Sequence, residues 1–203
     1  MRKTNLIIVL VTALGAASAA LAEECSEFPP EFSDVDKLIH FLDAQESPTA
    51  PNDCVTVAIR LLGPFQSSKA VPTLIRYLDY KRPLSSAERN GVWFHPNVVT
   101  SRYPTISALA TIGEASLPEL VRVIGDPKTS PKTRDSAVFT VMLVHRQKPE
   151  EGISFLEDAA NKATETTTGS LLQDAARKAA DFCRADEHSR CGTLLSPTPD
   201  ELH

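Results

Sequence analysis

An apolar pattern occurs twice in this 203-residue chain, first at 58–63 and again at 108–113. Each copy has an alanine, two aliphatic residues and a final glycine at the same relative positions. A second segment follows each copy, at 70–79 and at 116–126, and continues the apolar residues at helical spacing. A single helical hairpin cannot bury both of its apolar stripes, so repeated hairpins must stack on one another. No segment shows the sustained alternation of a strand, and the pattern predicts an all-α chain, a short α-solenoid of antiparallel helix pairs.

The first copy reads A-x-x-x-L-G followed by A-x-P-x-L-x-x-x-L-D, and the second departs from it at Ile112, at Ser116, at Ile124 and at Asp126, which is displaced by one residue. This pattern is similar to the HEAT-repeat family and, more loosely, to armadillo-type repeats. The likeness covers about residues 52–183 and is clear in two units. It implies a curved stack of helix pairs whose second helices line a concave face that holds partners. It implies no catalytic residues, although some bacterial relatives of the wider family act as lyases that attach tetrapyrroles.

A third, weaker copy follows the two clear ones. It predicts a helix that starts at Ser130, with a partner helix that carries Ile153, Leu156 and Ala160. A final helix from about 170 to 183 has small residues on its inner face and is expected to cap the row. The polar tract 164–168 breaks the helical period and is predicted to be a loop.

Helix ends are expected at two places in the repeats. Gly63 precedes a proline and is predicted to end its helix in the left-handed conformation, which glycine adopts easily. Ser116 and Glu119 have the spacing of a full capping box, and Pro118 falls in the first turn, where its missing N–H does no harm.

The first 22 residues have the pattern of an export signal. Arg2 and Lys3 provide positive charge, residues 6–14 an apolar centre, and Ala20-Leu21-Ala22 a cleavage motif. The apolar run is shorter than the ~20 residues that span a bilayer, so we expect cleavage, no remaining membrane span and a periplasmic or secreted protein. The expected organisation is a signal peptide (1–22), an N-terminal segment with a capping helix (23–50), a repeat domain (51–185) and a tail (186–203).

Four cysteines remain after cleavage, an even number in a chain bound for an oxidising compartment. The pairing Cys25–Cys54 with Cys183–Cys191 is favoured because each bond would tie one end of the chain to an adjacent helix. The other two connectivities stay open. Cys183 and Cys191 with His188 offer only three ligands, so no metal site is expected.

An insertion at 81–102 interrupts the repeats, which are usually joined by a few residues. It includes 85–88, which can cap one short helical turn, and the aromatic cluster Trp93, Phe94 and His95. One interpretation is that the aromatic residues plug a gap between units. The other is that they stand at the rim of the concave face as partner anchors.

Four residues of the second helices are candidate partner contacts together with that cluster. The repeat register puts Arg76, Tyr77 and Tyr80 along or beyond the second helix of the first unit, and Arg122 at the position equivalent to Arg76 in the next. Two arginines on successive helices can bind a carboxylate, a phosphate or an acidic peptide through forked hydrogen bonds. Alternatively they are solvated or paired with the nearby residues Asp79, Asp126 or Glu119.

Charge and motifs restrict the function classes. The formal net charge of −5 argues against a nucleic-acid partner. The chain has no H-E-x-x-H, G-x-S-x-G, phosphate-loop or dinucleotide motif, and no cofactor is expected. The sequence predicts an exported, non-catalytic scaffold that binds a protein or peptide on its concave helical face. The alternative is a small-ligand-binding or lyase-like enzyme that uses a pocket at the insertion, with His95, Trp93 and Arg76 around the ligand.

Overall fold

The computed structural model describes residues 34–45, 53–91 and 98–184, and every regular element in these ranges is helical. The all-α prediction is therefore confirmed for the described part of the chain. The α-helices are α1 (Val35–Asp43), α2 (Asp53–Leu62), α3 (Val71–Arg76), α4 (Ser86–Arg89), α5 (Val98–Arg102), α6 (Pro104–Ile112), α7 (Leu117–Gly125), α8 (Pro131–Val144), α9 (Pro149–Lys162) and α10 (Thr166–Arg184). Short 3-10 turns, Ser68–Ala70 and Gly113–Ser116, lead into α3 and α7.

The first helices of the repeats pack side by side, since α2 contacts α6 and α6 contacts α8. The second helices do the same, with α3 against α7, and α1 covers both α2 and α3. One shared core of buried side chains results, and its largest fully buried members are Tyr77, Tyr80, Leu38, Leu42, Ile59, Leu62, Leu74, Leu78, Ile106, Leu109, Leu120 and Ile124.

The third unit departs from the expected order, because α10 rather than α9 makes the main contact with α7. The residues that α10 buries include Leu172, Ala175, Ala176 and Ala179, whose small size allows a close approach. By contrast, α9 buries little and packs chiefly against α10. The last helix therefore occupies the position where the partner helix of the third unit was expected.

The two repeat glycines have different roles. Gly63 does not have a positive φ, so the left-handed cap expected there is wrong. A Cβ atom at Gly63 would lie 3.1 Å from the Cα of Ala108, so glycine is needed because α2 and α6 approach closely. Gly113 ends α6 with φ 77° and is the copy that uses the left-handed region.

The capping box expected at Ser116 is also wrong. The 3-10 turn runs directly into α7, so Ser116 has a helical backbone (φ −85°, ψ −21°) instead of the extended one that a side-chain cap requires. Its Oγ donates to the carbonyl of Gly113 at 2.7 Å. Pro118 lies in the first turn of α7 as predicted, and Ser130 caps α8 by accepting from the N–H of Thr133 at 3.1 Å.

The last helix begins at Thr166, so the loop predicted for 164–168 extends too far. Thr168 packs closely against Gly125 of α7, where a Cβ atom would lie 2.7 Å from the Thr168 methyl group. Tertiary packing thus outweighs the low helix propensity of threonine. None of the helices in the described ranges combines the length and apolarity needed to cross a bilayer.

Several predictions concern residues that lie outside the described ranges: the export signal (1–22), the tail (186–203) and two of the four cysteines, Cys25 and Cys191. Neither Cys54 nor Cys183 has a free thiol. The pairing of the cysteines stays a prediction.

Candidate functional site

The two arginines predicted from the repeat register are each held by a neighbouring carboxylate. Arg76 donates to Oδ1 of Asp43, in α1, at 2.8 Å. Arg122 donates from Nε to Oε1 of Glu119, one turn earlier in α7, at 2.8 Å. The predicted alternative that Arg122 pairs with Glu119 is confirmed. Arg76 pairs with Asp43 instead of Asp79. Exposed pairs of this kind contribute about 0–1 kcal/mol, and a partner carboxylate would compete with Asp43 and Glu119 for these arginines.

Tyr77 and Tyr80 belong to the core, and their assignment as partner contacts is wrong. Both side chains are 0% exposed. The Tyr77 hydroxyl donates to the carbonyl of Leu42 at 2.5 Å, and the Tyr80 hydroxyl shares a 2.8 Å hydrogen bond with Thr56 Oγ1. Burial raises the pKa of the Tyr77 hydroxyl above its ordinary value. Their polar tips are satisfied by the protein itself, which is the usual state of a buried tyrosine.

Arg82, at the start of the insertion, is a buried residue that the sequence analysis did not single out. It is 8% exposed, and Glu88, its ion-pair partner, is 5% exposed. Both Nη atoms of Arg82 donate to the Glu88 carboxylate. The remaining donors reach Ser101 O at 2.6 Å, Ser101 Oγ at 2.8 Å and Pro83 O at 2.9 Å. The five N–H groups of the guanidinium therefore all have acceptors.

Glu88 also closes the capping box that the sequence predicted for 85–88. Its Oε2 accepts from the N–H of Ser85 at 2.9 Å, and its own N–H donates to Ser85 Oγ at 3.2 Å. The hydrogen bond from Arg82 is the main reason that the pKa of Glu88 falls from 4.5 to about 2, against the opposing effect of burial. Glu88 therefore stays ionised at neutral pH with its acceptors engaged, so it has no proton to give as a general acid. We call the Arg82–Glu88 ion pair the latch.

The two ends of the insertion are joined at the same place. The N–H of Arg82 donates to the carbonyl of Arg102 at 3.0 Å, and the Arg102 side chain donates back to the carbonyl of Arg82. Together with the latch, these bonds fix the described parts of the insertion against α5.

A cleft of about 570 Å³ lies between α2 and the start of the insertion. Arg60 projects from α2 into it, and the described residues that line it include three arginines, Arg60, Arg82 and Arg89, and two carboxylates, Asp53 and Glu88. Burial, and then the charge of Arg82, lowers the pKa of the Arg60 guanidinium. Among the described residues, Arg60 has no hydrogen-bond or ion-pair partner.

Two further recesses adjoin this cleft. A recess of about 210 Å³ is also lined by Arg60 and continues over Thr100, Ser107 and Thr111. A groove of about 1070 Å³ shares the last three residues and runs on to the segment 143–148 after α8. The three spaces share lining residues and form one surface, which we call the trough. It runs from Arg60 on α2, across α6, to Lys148 beyond the end of α8.

One large apolar side chain stands beside the trough. Phe65 is 42% exposed, and it is the large hydrophobic residue that is exposed within the described ranges. Its neighbours Pro64 and Gln66 line the recess and the groove. Gln66 has a φ of 51°, and its N–H donates to the carbonyl of Gly63 at 2.9 Å, so a tight turn places Phe65 on the surface. The sequence analysis did not single out Phe65, and the signal that could have found it is its position just after the Gly63-Pro64 helix end.

The structure brings together a different set of residues from the predicted one. Trp93, Phe94 and His95 lie outside the described ranges, so the two interpretations of the aromatic cluster both stay open. Within those ranges no group of three or more His, Cys, Asp or Glu side chains is arranged to hold a metal ion. His145, beside the groove, has a buried Nε2 without a hydrogen-bond partner and packs against Phe155 at 5.9 Å between ring centroids.

Comparisons with protein-family models, with curated proteins and with solved structures find no match to this chain.

Proposed function

We propose that this chain is an exported, non-catalytic binding module that holds a protein or peptide partner in the trough. The observation that carries the proposal is a continuous surface across α2, α6 and α8 with an exposed aromatic residue, Phe65, at its edge. Aromatic residues are strongly enriched among the side chains that dominate binding energy at interfaces. The pattern of residues 1–22 supports export.

The proposal includes a HEAT-like row of stacked hairpins. Two observations support it: neighbouring first helices pack together, as do neighbouring second helices, and the repeated glycine at 63 lies at a close contact with the repeated alanine at 108. In such a row each hairpin contacts its neighbours and an extended surface forms along one side.

The trough differs from the site that the family resemblance implies, because it crosses first helices instead of second helices. The second-helix arginines, Arg76 and Arg122, are occupied by their own ion pairs, and Tyr77 and Tyr80 are buried. The first-helix side has an open groove of about 1070 Å³ that presents polar and apolar groups. We therefore place the partner on the first-helix side.

Capture from an envelope extract, with the bound protein identified by mass spectrometry and located by cross-linking, tests the proposal. Phe65→Ala removes the aromatic anchor, and Thr111→Arg fills the exposed floor of α6. Both are expected to lower capture of the identified partner about tenfold, a loss typical of one interface hot spot. Arg122→Ala, on the second-helix side, is the matched control and should leave capture unchanged. Thermal melts must show that all variants fold.

The reverse result, in which Arg122→Ala abolishes capture and the trough variants do not, would return the partner to the second-helix face. Absence of any partner that cross-links to the trough would refute the proposal.

A second candidate function is binding of a small molecule in the cleft beside the insertion. The observation that favours it is the cleft volume of about 570 Å³, within the range of ~300–1,000 Å³ usual for ligand pockets, next to a fully satisfied ion pair. Native mass spectrometry of the protein purified from its exporting host distinguishes the two: a retained small molecule supports this candidate, and an empty cleft argues against it.

A further inference from the structure

The described arginines fall into two groups. The side chains of Arg76, Arg82, Arg89, Arg102, Arg122, Arg134 and Arg177 all donate to a carboxylate, a hydroxyl or a carbonyl. Those of Arg60 and Arg146 have no such acceptor within the part of the chain that the structure describes. Both line the trough, Arg60 at the α2 end and Arg146 beyond the end of α8. The arginines left without an acceptor, among those whose side chains are described, therefore occupy the surface where we place the partner.

The protein around Arg60 leaves it available for an anion. Arg82, which lines the same cleft, has all its donors engaged, and Glu88 accepts from Arg82 and Ser85. Lining arginines outnumber lining carboxylates by one in the described part of the cleft. A singly charged group fits this balance better than a doubly charged phosphate does, because Asp53 and Glu88 repel additional negative charge.

Arg146 has a similar position at the far end of the groove. Lys148, two residues on, is already paired with Glu151 at 2.6 Å, so among the described residues that line this end Arg146 is the cation without an acceptor. The chain as a whole carries a formal net charge of −5, so it repels acidic ligands except where local cations prevail. Two cations at opposite ends of the trough, Arg60 and Arg146, favour one alignment of an acidic segment over others.

We propose that the trough recognises an acidic peptide segment of the partner, with one carboxylate bound by Arg60 and a second by Arg146. This inference rests on the proposed function and specifies its ligand. Each guanidinium offers forked N–H donors that match a carboxylate. Adjacent packed helices lie roughly 8–10 Å apart, so two steps from α2 through α6 to α8 span roughly 16–20 Å. An extended peptide rises about 3.3 Å per residue, which separates the two carboxylates by about five or six residues.

The probe is a fluorescein-labelled hexapeptide with glutamate at its first and last positions and serine or alanine between them, measured by fluorescence anisotropy. Its control carries glutamine at both positions. The wild-type protein should bind the glutamate peptide about tenfold more tightly than the glutamine peptide, as expected for two charge-assisted contacts. Arg60→Gln and Arg146→Gln should each weaken binding about three- to fivefold. Arg122→Gln, which removes the same charge elsewhere, should change it less than twofold.

Equal binding of the two peptides, or an equal loss in Arg122→Gln, would overturn the inference. Inorganic phosphate that competes with the peptide at equal concentration would overturn it too, since the site would then select anions in general. The capture experiment separates the two proposals: if Phe65→Ala still lowers capture while Arg60→Gln has no effect on peptide or partner, the trough remains the binding site and only its acidic ligand is refuted.

Discussion

Replacing Glu88 by glutamine should destabilise the protein severely, although the two side chains have nearly the same shape. Arg82 would keep its bonds to Ser101 and Pro83, but it would lose the only carboxylate that contacts it in the described structure while remaining 8% exposed. A buried charge left without its counter-charge costs about 3–5 kcal/mol. Since a domain of this kind is stable by about 5–15 kcal/mol, the change removes a large share of the total.

Urea unfolding followed by far-UV circular dichroism measures this loss. Glu119→Gln breaks an ion pair of the same chemistry with Arg122 at an exposed site, and should cost no more than about 1 kcal/mol. A double variant with Arg82→Met and Glu88→Leu should be more stable than Glu88→Gln alone, because it buries no unpaired charge. If Glu88→Gln loses no more stability than Glu119→Gln, the reasoning about the latch is refuted.

Three further changes test other contacts. The pKa of Glu88 is about 2 in the folded protein, below its unfolded value of 4.5, so this carboxylate stabilises the fold fully above pH 4.5. As the pH falls from 4.5 towards 2, the wild type should lose up to about 3 kcal/mol of unfolding free energy from Glu88 alone. Acid titration of Glu88→Gln should lack this loss. Tyr77→Phe removes the hydroxyl's hydrogen bond to the Leu42 carbonyl, which keeps the N–H of Gln45 as a donor at 3.2 Å, and should lower the unfolding free energy by about 1 kcal/mol, measured in urea. Gly113→Ala forces a side chain into φ 77° and should cost at least about 1 kcal/mol, seen as a lower Tm; an unchanged Tm would contradict the strain at that turn.

The helical class was predictable because it depends on local spacing. Apolar periodicity marks a helix whatever it packs against, and Pro118 and Ser130 act within one turn of their own positions. The capping box at Ser116 failed because the preceding 3-10 turn, which begins at the positive φ of Gly113, continues directly into the helix. Identical spacing gave a true capping box at Ser85, where the backbone before the helix is not helical.

The candidate site was much less predictable, because exposure and pairing are non-local. Tyr77 and Tyr80 look like surface aromatics in the sequence, and only contacts with Leu42 and Thr56, distant in the chain, show that they are internal. Arg82 becomes a buried latch through Ser101, nineteen residues away. Arg76 pairs with Asp43, thirty-three residues away in the chain, and not with the nearby Asp79.

The tight spacing at Gly63 limits how this protein can be re-engineered. The atom that a new methyl group would meet is the Cα of Ala108, so shortening the side chain at 108 gives no relief. A hairpin grafted onto this position without glycine requires the backbone of α6 at Ala108 to shift slightly away from α2. Ser107 and Thr111 would move with α6, so one added methyl group would change the width of the trough in which we place the peptide.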